Sequence, residues 1–243
     1  MRERHDRRNG ESRKNVSPSQ ASNEVGESWA IRRHADPADG SGPAHDQLAL
    51  TLLTRASDGF TERLGLVRPH HWAAPTPCAA WDVHDLVNHV VGANRRYTML
   101  LHGATADEVD AIRTADHLSD DPVSSFVTTA AELEAAIREP GAMACTAHHP
   151  AGEHTGAQLL EMRVLDLTVH TWDLARSIGA DESLDPDLVA FALTLRDTFE
   201  AGREHGSFAL PPEETPADGS AQTRLLTLSG RRPGRPDGRS LAD

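Results

Sequence analysis

The sequence is poor in lysine, aromatics and cysteine. Lysine occurs once, at Lys14, among 243 residues, and Asp plus Glu outnumber Lys plus Arg by 37 to 24, for a net charge of −13. A nucleic-acid footprint needs basic residues clustered on one face, so nucleic acid is not an expected partner. Cys78 and Cys145 lie far apart and in no CxxC pattern. This excludes a disulfide scaffold and a thiolate zinc site, and it suits a reducing compartment, so a cytoplasmic location is expected. No apolar run approaches the length of a membrane span, and the opening MRERHDRRNGESRKN has no apolar stretch of a secretory signal. A soluble protein without a membrane partner is expected. GxGxxG, the P-loop, GxSxG and HExxH are all missing, which removes the usual dinucleotide, nucleotide, hydrolase and zincin signatures. Histidine is plentiful, with 14 copies, so a lone His pair carries little weight.

What is present is helical periodicity. Residues 1–43 have hardly an aliphatic side chain, too little apolar surface to offset ordering entropy, and are expected to be disordered. From Ala44 the chain reads as an all-α domain to about residue 230, followed by a polar tail over 231–243. Leu48, Leu52, Leu53, Ala56, Phe60, Leu64 and Val67 recur at helical spacing. The proline-rich loop PHHWAAPTPCAAW cannot be helical, and its tryptophans are placed to cover one end of the core. A second helix starts at Asp82 with the box-like pair Asp82 and Asp85. Val83, Leu86, Val87, Val90 and Tyr97 form its stripe, with His89 on the flank. Asp85 stands four residues before His89, so on spacing alone a partly buried His89 held by Asp85 is the stronger reading. Residues 103–119 look irregular. A third helix opens at Asp120-Asp121-Pro122. MACTAHHPAGEHTG reads as a short hairpin carrying the weak cluster His148, His149 and His154. Helices also open at Asp185-Pro186, running through Phe199, and at Ser220, running over Ala221 to Leu228.

The chain is organised around RVLDLTVHTWDLARSIG, residues 163–179, in a helix from about Ala157 that stops at Gly179. At about 100° per residue, Arg163, Asp166, His170, Asp173 and Ser177 fall on one stripe. Leu160, Leu167, Leu174 and Ile178 flank it on one side, and Met162, Leu165, Val169 and Trp172 on the other. A polar stripe bracketed by apolar residues points into a bundle and not to solvent. Asp166 and His170, at i and i+4, reach the same point. Burying a carboxylate and an imidazole unpaired is costly. A divalent metal satisfies both, and so does a plain Asp–His hydrogen bond. Metal sites in bundles draw on facing helices. His89 from one helix with Asp166 and His170 from another make a two-His, one-carboxylate set, which leaves coordination positions open.

PTPCAAWDVHDLVNHVVGANRRY and RVLDLTVHTWDLARSIGADESLDPDL resemble the DinB-like superfamily, and within it the mycothiol-dependent maleylpyruvate isomerase-like, metal-binding branch. SAQTRLLTLSGRRP resembles that branch's C-terminal stretch. The resemblance covers roughly Asp46 to Pro233. It implies a DinB/YfiT-like four-helix bundle with a short β or loop element and a short C-terminal helix, with metal ligands His89, Asp166 and His170. It implies a divalent metal, usually zinc, and a small thiol such as mycothiol held as thiolate, attacking a small electrophile in isomerisation or transfer. It also implies pairing of two copies. No catalytic or cofactor-binding residue beyond the ligands is assigned by it. Two departures limit what carries over. The carboxylate is Asp166 where many superfamily members use Glu, so the helices must approach closer or a water must bridge. Only about forty residues follow Arg203, where isomerases of this type have a substantial second domain. Thiol-dependent chemistry in general is therefore the expectation, not maleylpyruvate in particular.

Two other functions remain open on sequence. One is a non-enzymatic metal-binding or dimerising helical module. The other is metal-assisted hydrolysis with Asp173 as base. Cys78 reads as a packing residue of the loop, and Asp173 as a partner of a neighbour or of Arg95, Arg96 or Arg163.

Overall fold

A computed structural model describes residues 42–79, 81–195, 198–199 and 219–234. The expectations for residues 1–41, for most of the loop before Ser220 and for the tail beyond Gly234 lie outside the described residues. Among the described residues these elements follow in order: α1 Pro43–Leu64, α2 Val83–Leu101, α3 Ala106–Asp110, α4 Pro122–Ile137, β1 Thr146–His149, β2 Gly152–Thr155, α5 Gly156–Ser177, α6 Pro186–Thr194 and α7 Ala221–Leu228. The chain is thus mostly helical, as the periodicity predicts.

The helix starts follow from local chemistry. Asp121 accepts from the backbone N–H of Val123 and Ser124 ahead of Pro122, Asp185 accepts from Asp187 ahead of Pro186, and Ser220 accepts from Thr223. Thr155 and Gln158 form a reciprocal capping box at the start of α5. Helix α5 begins where β2 ends, against the 3-10 turn Ala142–Ala144. A Cβ on Gly156 would lie 1.9 Å from the Ala142 carbonyl oxygen, so only glycine permits that approach. At its other end Gly179, at φ +67, closes the helix.

Helices α1, α2, α4 and α5 form the bundle, with α1 packed on α5 and α4, and α2 on α4 and α5. Phe60, Leu86, Val87, Phe126, Leu159 and Leu167 are fully enclosed in the core. Helix α5 is the central rod. Between Leu159 and Ala175 only Glu161 and Asp166 are even half-buried, and every other residue is buried. A helix enclosed on all sides has to satisfy its polar residues internally, and this makes its polar stripe informative.

Some expectations fail in instructive ways. Leu48 is 51% exposed and does not join the core. Helix α1 ends at Leu64, with Gly65 at its C-cap, before Val67. Residues expected to be irregular include α3, a single turn capped by Thr105 and Glu108 and too short for a period to register. Helix α6 stops at Thr194, and Thr198 and Phe199 are helical again beyond it. The hairpin pairs Thr146 with Thr155 and His149 with Gly152.

Candidate metal centre

The predicted inward stripe of α5 is buried. Arg163 and Asp173 are 0% exposed and His170 7%. Asp166 faces an opening and keeps 28% of its side chain in solvent, and so does His89, at 30%. The three side chains singled out from sequence converge. His170 Nε2 lies 3.1 Å from Asp166 Oδ1, and His89 Nε2 reaches the same oxygen at 3.7 Å from across α2. All three donor atoms lie within 4.8 Å of one another. The shorter Asp166 carboxylate therefore spans the gap between the helices directly. Trp81 covers the group, its ring centroid 4.7 Å from that of His89 and 6.1 Å from that of His170.

Asp166 and His170 are held from behind. The Arg163 guanidinium grips Asp166 Oδ2 and donates from Nε to Asn94 Oδ1 at 2.9 Å and from Nη2 to the Val90 carbonyl at 2.8 Å. This ties α5 to α2 beneath the carboxylate. His170 Nδ1 lies 2.9 Å from Asp173 Oδ2. Asp173 in turn receives Arg231 Nε at 3.1 Å and Arg231 Nη2 at 2.7 Å. An ionised carboxylate can only accept, so Nδ1 of His170 carries the proton of that bond. Its other ring nitrogen, Nε2, is then directed at Asp166.

Electrostatics follow the same division. Burial pushes Asp166 up, but His170, His89 and Arg163 outweigh it and hold the carboxyl well below its ordinary value. Burial pushes His170 down, yet Asp166 first, then Asp173 and Cys78, raise it well above 6.5. Burial dominates at His89 and lowers it to about 4 against the pull of Asp166. Burial would raise Asp173, but Arg231 and His170 bring it down to about 2. Without a metal, His170 therefore carries a second proton on Nε2, between two carboxylates.

The donor set fits a divalent ion. Bonds of about 2.1 Å in a tetrahedral zinc site space the donors about 3.4 Å apart, and the two observed separations of 3.1 and 3.7 Å bracket that value. Two imidazole nitrogens and one carboxylate oxygen are suitable ligands, and a carboxylate behind a ligating imidazole is the usual support. Two further groups have ligand-like spacing. In the group of Cys78, His170 and Asp173, the Arg231 guanidinium already supplies the cation, with Nη2 3.3 Å from Cys78 Sγ. Asp82, His84 and Asp85 are a helix start, not a site. Asp85 accepts the Asp82 backbone N–H and Asp82 accepts that of Asp85. This corrects the expected Asp85–His89 bond, because the helix cap takes the Asp85 carboxylate.

Other readings also change. Asp173 pairs with Arg231, not with Arg95, Arg96 or Arg163. Cys78 does more than pack. The loop holds it through Thr76, whose Oγ1 accepts the Cys78 N–H at 3.1 Å and donates to the Trp81 carbonyl at 3.0 Å. From there the thiol reaches Asp173 Oδ2 at 3.3 Å. Asp173 cannot serve as a base at the trio, since it sits on the Nδ1 side of His170 with both oxygens engaged. In the hairpin, His148 faces Glu153 at 3.4 Å, while the rings of His149 and His154 meet edge-on with centroids 5.6 Å apart. They do not join the trio.

Residues 53–175 match the family described as the mycothiol maleylpyruvate isomerase N-terminal domain, a span that contains all three converging residues. The chain belongs to that family. Two uncharacterized proteins of Mycobacterium tuberculosis, from two strains, are each 32% identical to it over 171 residues, covering 68% of this chain and 90% of theirs. The crystal structure of the mycothiol-dependent maleylpyruvate isomerase superposes with a TM-score of 0.51 at 19% identity, covering 63% of this chain and 69% of that one. A histidine-to-alanine mutant of that enzyme superposes equally, at 0.51 and 18%. At such identity the likeness establishes the helical fold of the maleylpyruvate isomerase-like family. Among the described residues, no helix is long and apolar enough to cross a membrane.

Proposed function

We propose that this chain is a metal-dependent enzyme that uses mycothiol or a similar small thiol to isomerise or transfer a small electrophile. His89, Asp166 and His170 are its metal ligands, and zinc is the natural ion for them. One observation carries the reading: two imidazole nitrogens and a carboxylate oxygen from two helices meet at an opening that solvent reaches. Three protein donors leave positions for exchangeable ligands, as catalytic sites do and structural sites do not.

A divalent ion held there supplies the charge that lowers the pKa of an incoming thiol, so that it reacts as thiolate. The chain's own residues do the rest. Arg163 and Asp173 fix the orientation of Asp166 and His170. Trp81 and the buried rods around α5 exclude water from the inner side. Arg96 lies two turns beyond His89 on α2, close enough that its charge lowers His89. Burial, then Arg113 and Arg163, bring Arg96 itself down to about 10. A guanidinium destabilised in this way favours an arriving anion, such as the carboxylate of an electrophile.

The test is to load the protein with cobalt and titrate with mycothiol. The reading expects a sulfur-to-cobalt charge-transfer band in the wild type and none in His170→Ala. A wild type that binds cobalt but shows no such band, and no thiol-dependent rise in melting temperature, would favour a metal-binding module without thiol chemistry.

A further inference from the structure

We propose that Arg231 is a positioning residue for the metal centre, acting through Asp173 on His170. This rests on the metal reading above. Every nitrogen of its guanidinium is engaged. Nε and Nη2 hold the two oxygens of Asp173, Nη2 also reaches Cys78 Sγ, and Nη1 donates to the Ser229 carbonyl at 2.8 Å. A two-pronged grip fixes the plane of a carboxylate as well as its place. It thereby fixes the direction in which Asp173 Oδ2 accepts from His170 Nδ1. The imidazole is then held with Nε2 towards Asp166 and His89.

The backbone around Arg231 is arranged for this. Helix α7 ends in a Schellman turn: Gly230, at φ +79, bonds back to the Thr227 carbonyl at 3.0 Å, and the Arg231 N–H to the Leu226 carbonyl at 2.8 Å. The turn reverses the chain and sends the Arg231 side chain towards the α5 stripe. Gln222 secures the start of α7 by accepting the Leu184 N–H and donating to the Glu182 carbonyl, both at 2.9 Å. Beyond the turn, Arg176 grips the Gly234 carbonyl. The segment after α7 is thus strapped across the end of α5, and its arginine enters the bundle. Arg231 keeps only 10% of its side chain exposed.

The experiment measures cobalt and zinc affinity by chelator competition, with the visible cobalt spectrum, for wild type, Arg231→Ala and Arg231→Lys. Lysine restores charge but cannot hold both oxygens in one plane. The expected result is affinity about ten- to a hundredfold weaker for the alanine variant, the range typical of supporting groups behind a metal ligand, with lysine in between. Both variants should show a shifted ligand-field spectrum, which a residue that only packs would leave alone. Wild-type affinity and spectrum in both variants would overturn the inference while leaving the metal reading intact. If the alanine variant does not fold, the lysine variant decides alone, by the same criterion. A wild type that takes up neither metal overturns the reading of function and this inference with it.

Discussion

His170 has a carboxylate on each side of its ring, and the two are treated in opposite ways. On the Nδ1 side, Asp173 is 0% exposed and receives Arg231, His170 and Cys78. On the Nε2 side, Asp166 is gripped by Arg163 at one oxygen, and it presents the other to two imidazoles at an opening. Both sides contain a carboxylate, an imidazole and an arginine. On the closed side the guanidinium reaches the oxygen shared with the imidazole, whereas on the open side Arg163 stays on Oδ2, away from the oxygen that the two imidazoles share. Residue types alone therefore do not make a metal site. What distinguishes the two is whether the guanidinium reaches the shared corner and whether solvent still does.

The largest expected effect lies on the open side. His170→Ala or His89→Ala should abolish metal retention through dialysis, a loss greater than the roughly hundredfold limit for a supporting group. Retention in either variant would mean that the open side does not hold the metal. Next comes the closed side. Asp173→Ala strands a buried guanidinium and should cost about 3–5 kcal/mol in denaturant unfolding. Asp166→Ala should lose the metal, and its stability cost should be smaller because Arg163 keeps its bonds to Asn94 and to the Val90 carbonyl. Asp173 also sets an acid limit. Its folded pKa of about 2 lies below the ordinary value, so its contribution is complete above about pH 3.9 and disappears as pH falls towards 2. Acid unfolding of the metal-free alanine variant should lack that component.

A smaller effect concerns protons. In the metal-free protein the carboxylates raise His170 well above 6.5. It is therefore protonated at neutral pH, and metal uptake has to displace that proton. Apparent affinity should climb with pH, by up to about tenfold per unit, until the folded pKa is passed. Calorimetry in buffers of different ionisation heat would show the released proton, and buffer-independent heats would contradict the assignment. The smallest effect is a control. Arg55 pairs with Asp187 at 2.8 Å and also with Asp185, with 42% of its side chain in solvent. Exposed pairs of this kind add little, so Arg55→Ala should leave metal affinity unchanged.

How far the site could be read from sequence depended on distance along the chain. The Asp121-Pro122, Asp185-Pro186 and Ser220 helix starts are local, and all three fall where expected. The Asp166/His170 pair is also local, one turn apart, and the flanking leucines showed that it points inward. Linking it to His89 required the family motifs, because at that position spacing alone favoured Asp85, and helix capping in fact claims that carboxylate. Arg231 was not legible. It lies 58 residues from Asp173, and its approach depends on a turn at Gly230 that sequence periodicity does not orient. Cys78 was read as packing for the same reason, since its partners come from α5 and from beyond α7.

His89, Asp166 and His170 are proposed to hold a divalent ion together. Elemental analysis of the wild type beside His89→Ala, each purified without added chelator, tests this most directly. Close to stoichiometric metal is expected in the wild type and background levels in the variant. Equal metal in both, or none in a folded wild type offered zinc, would contradict it.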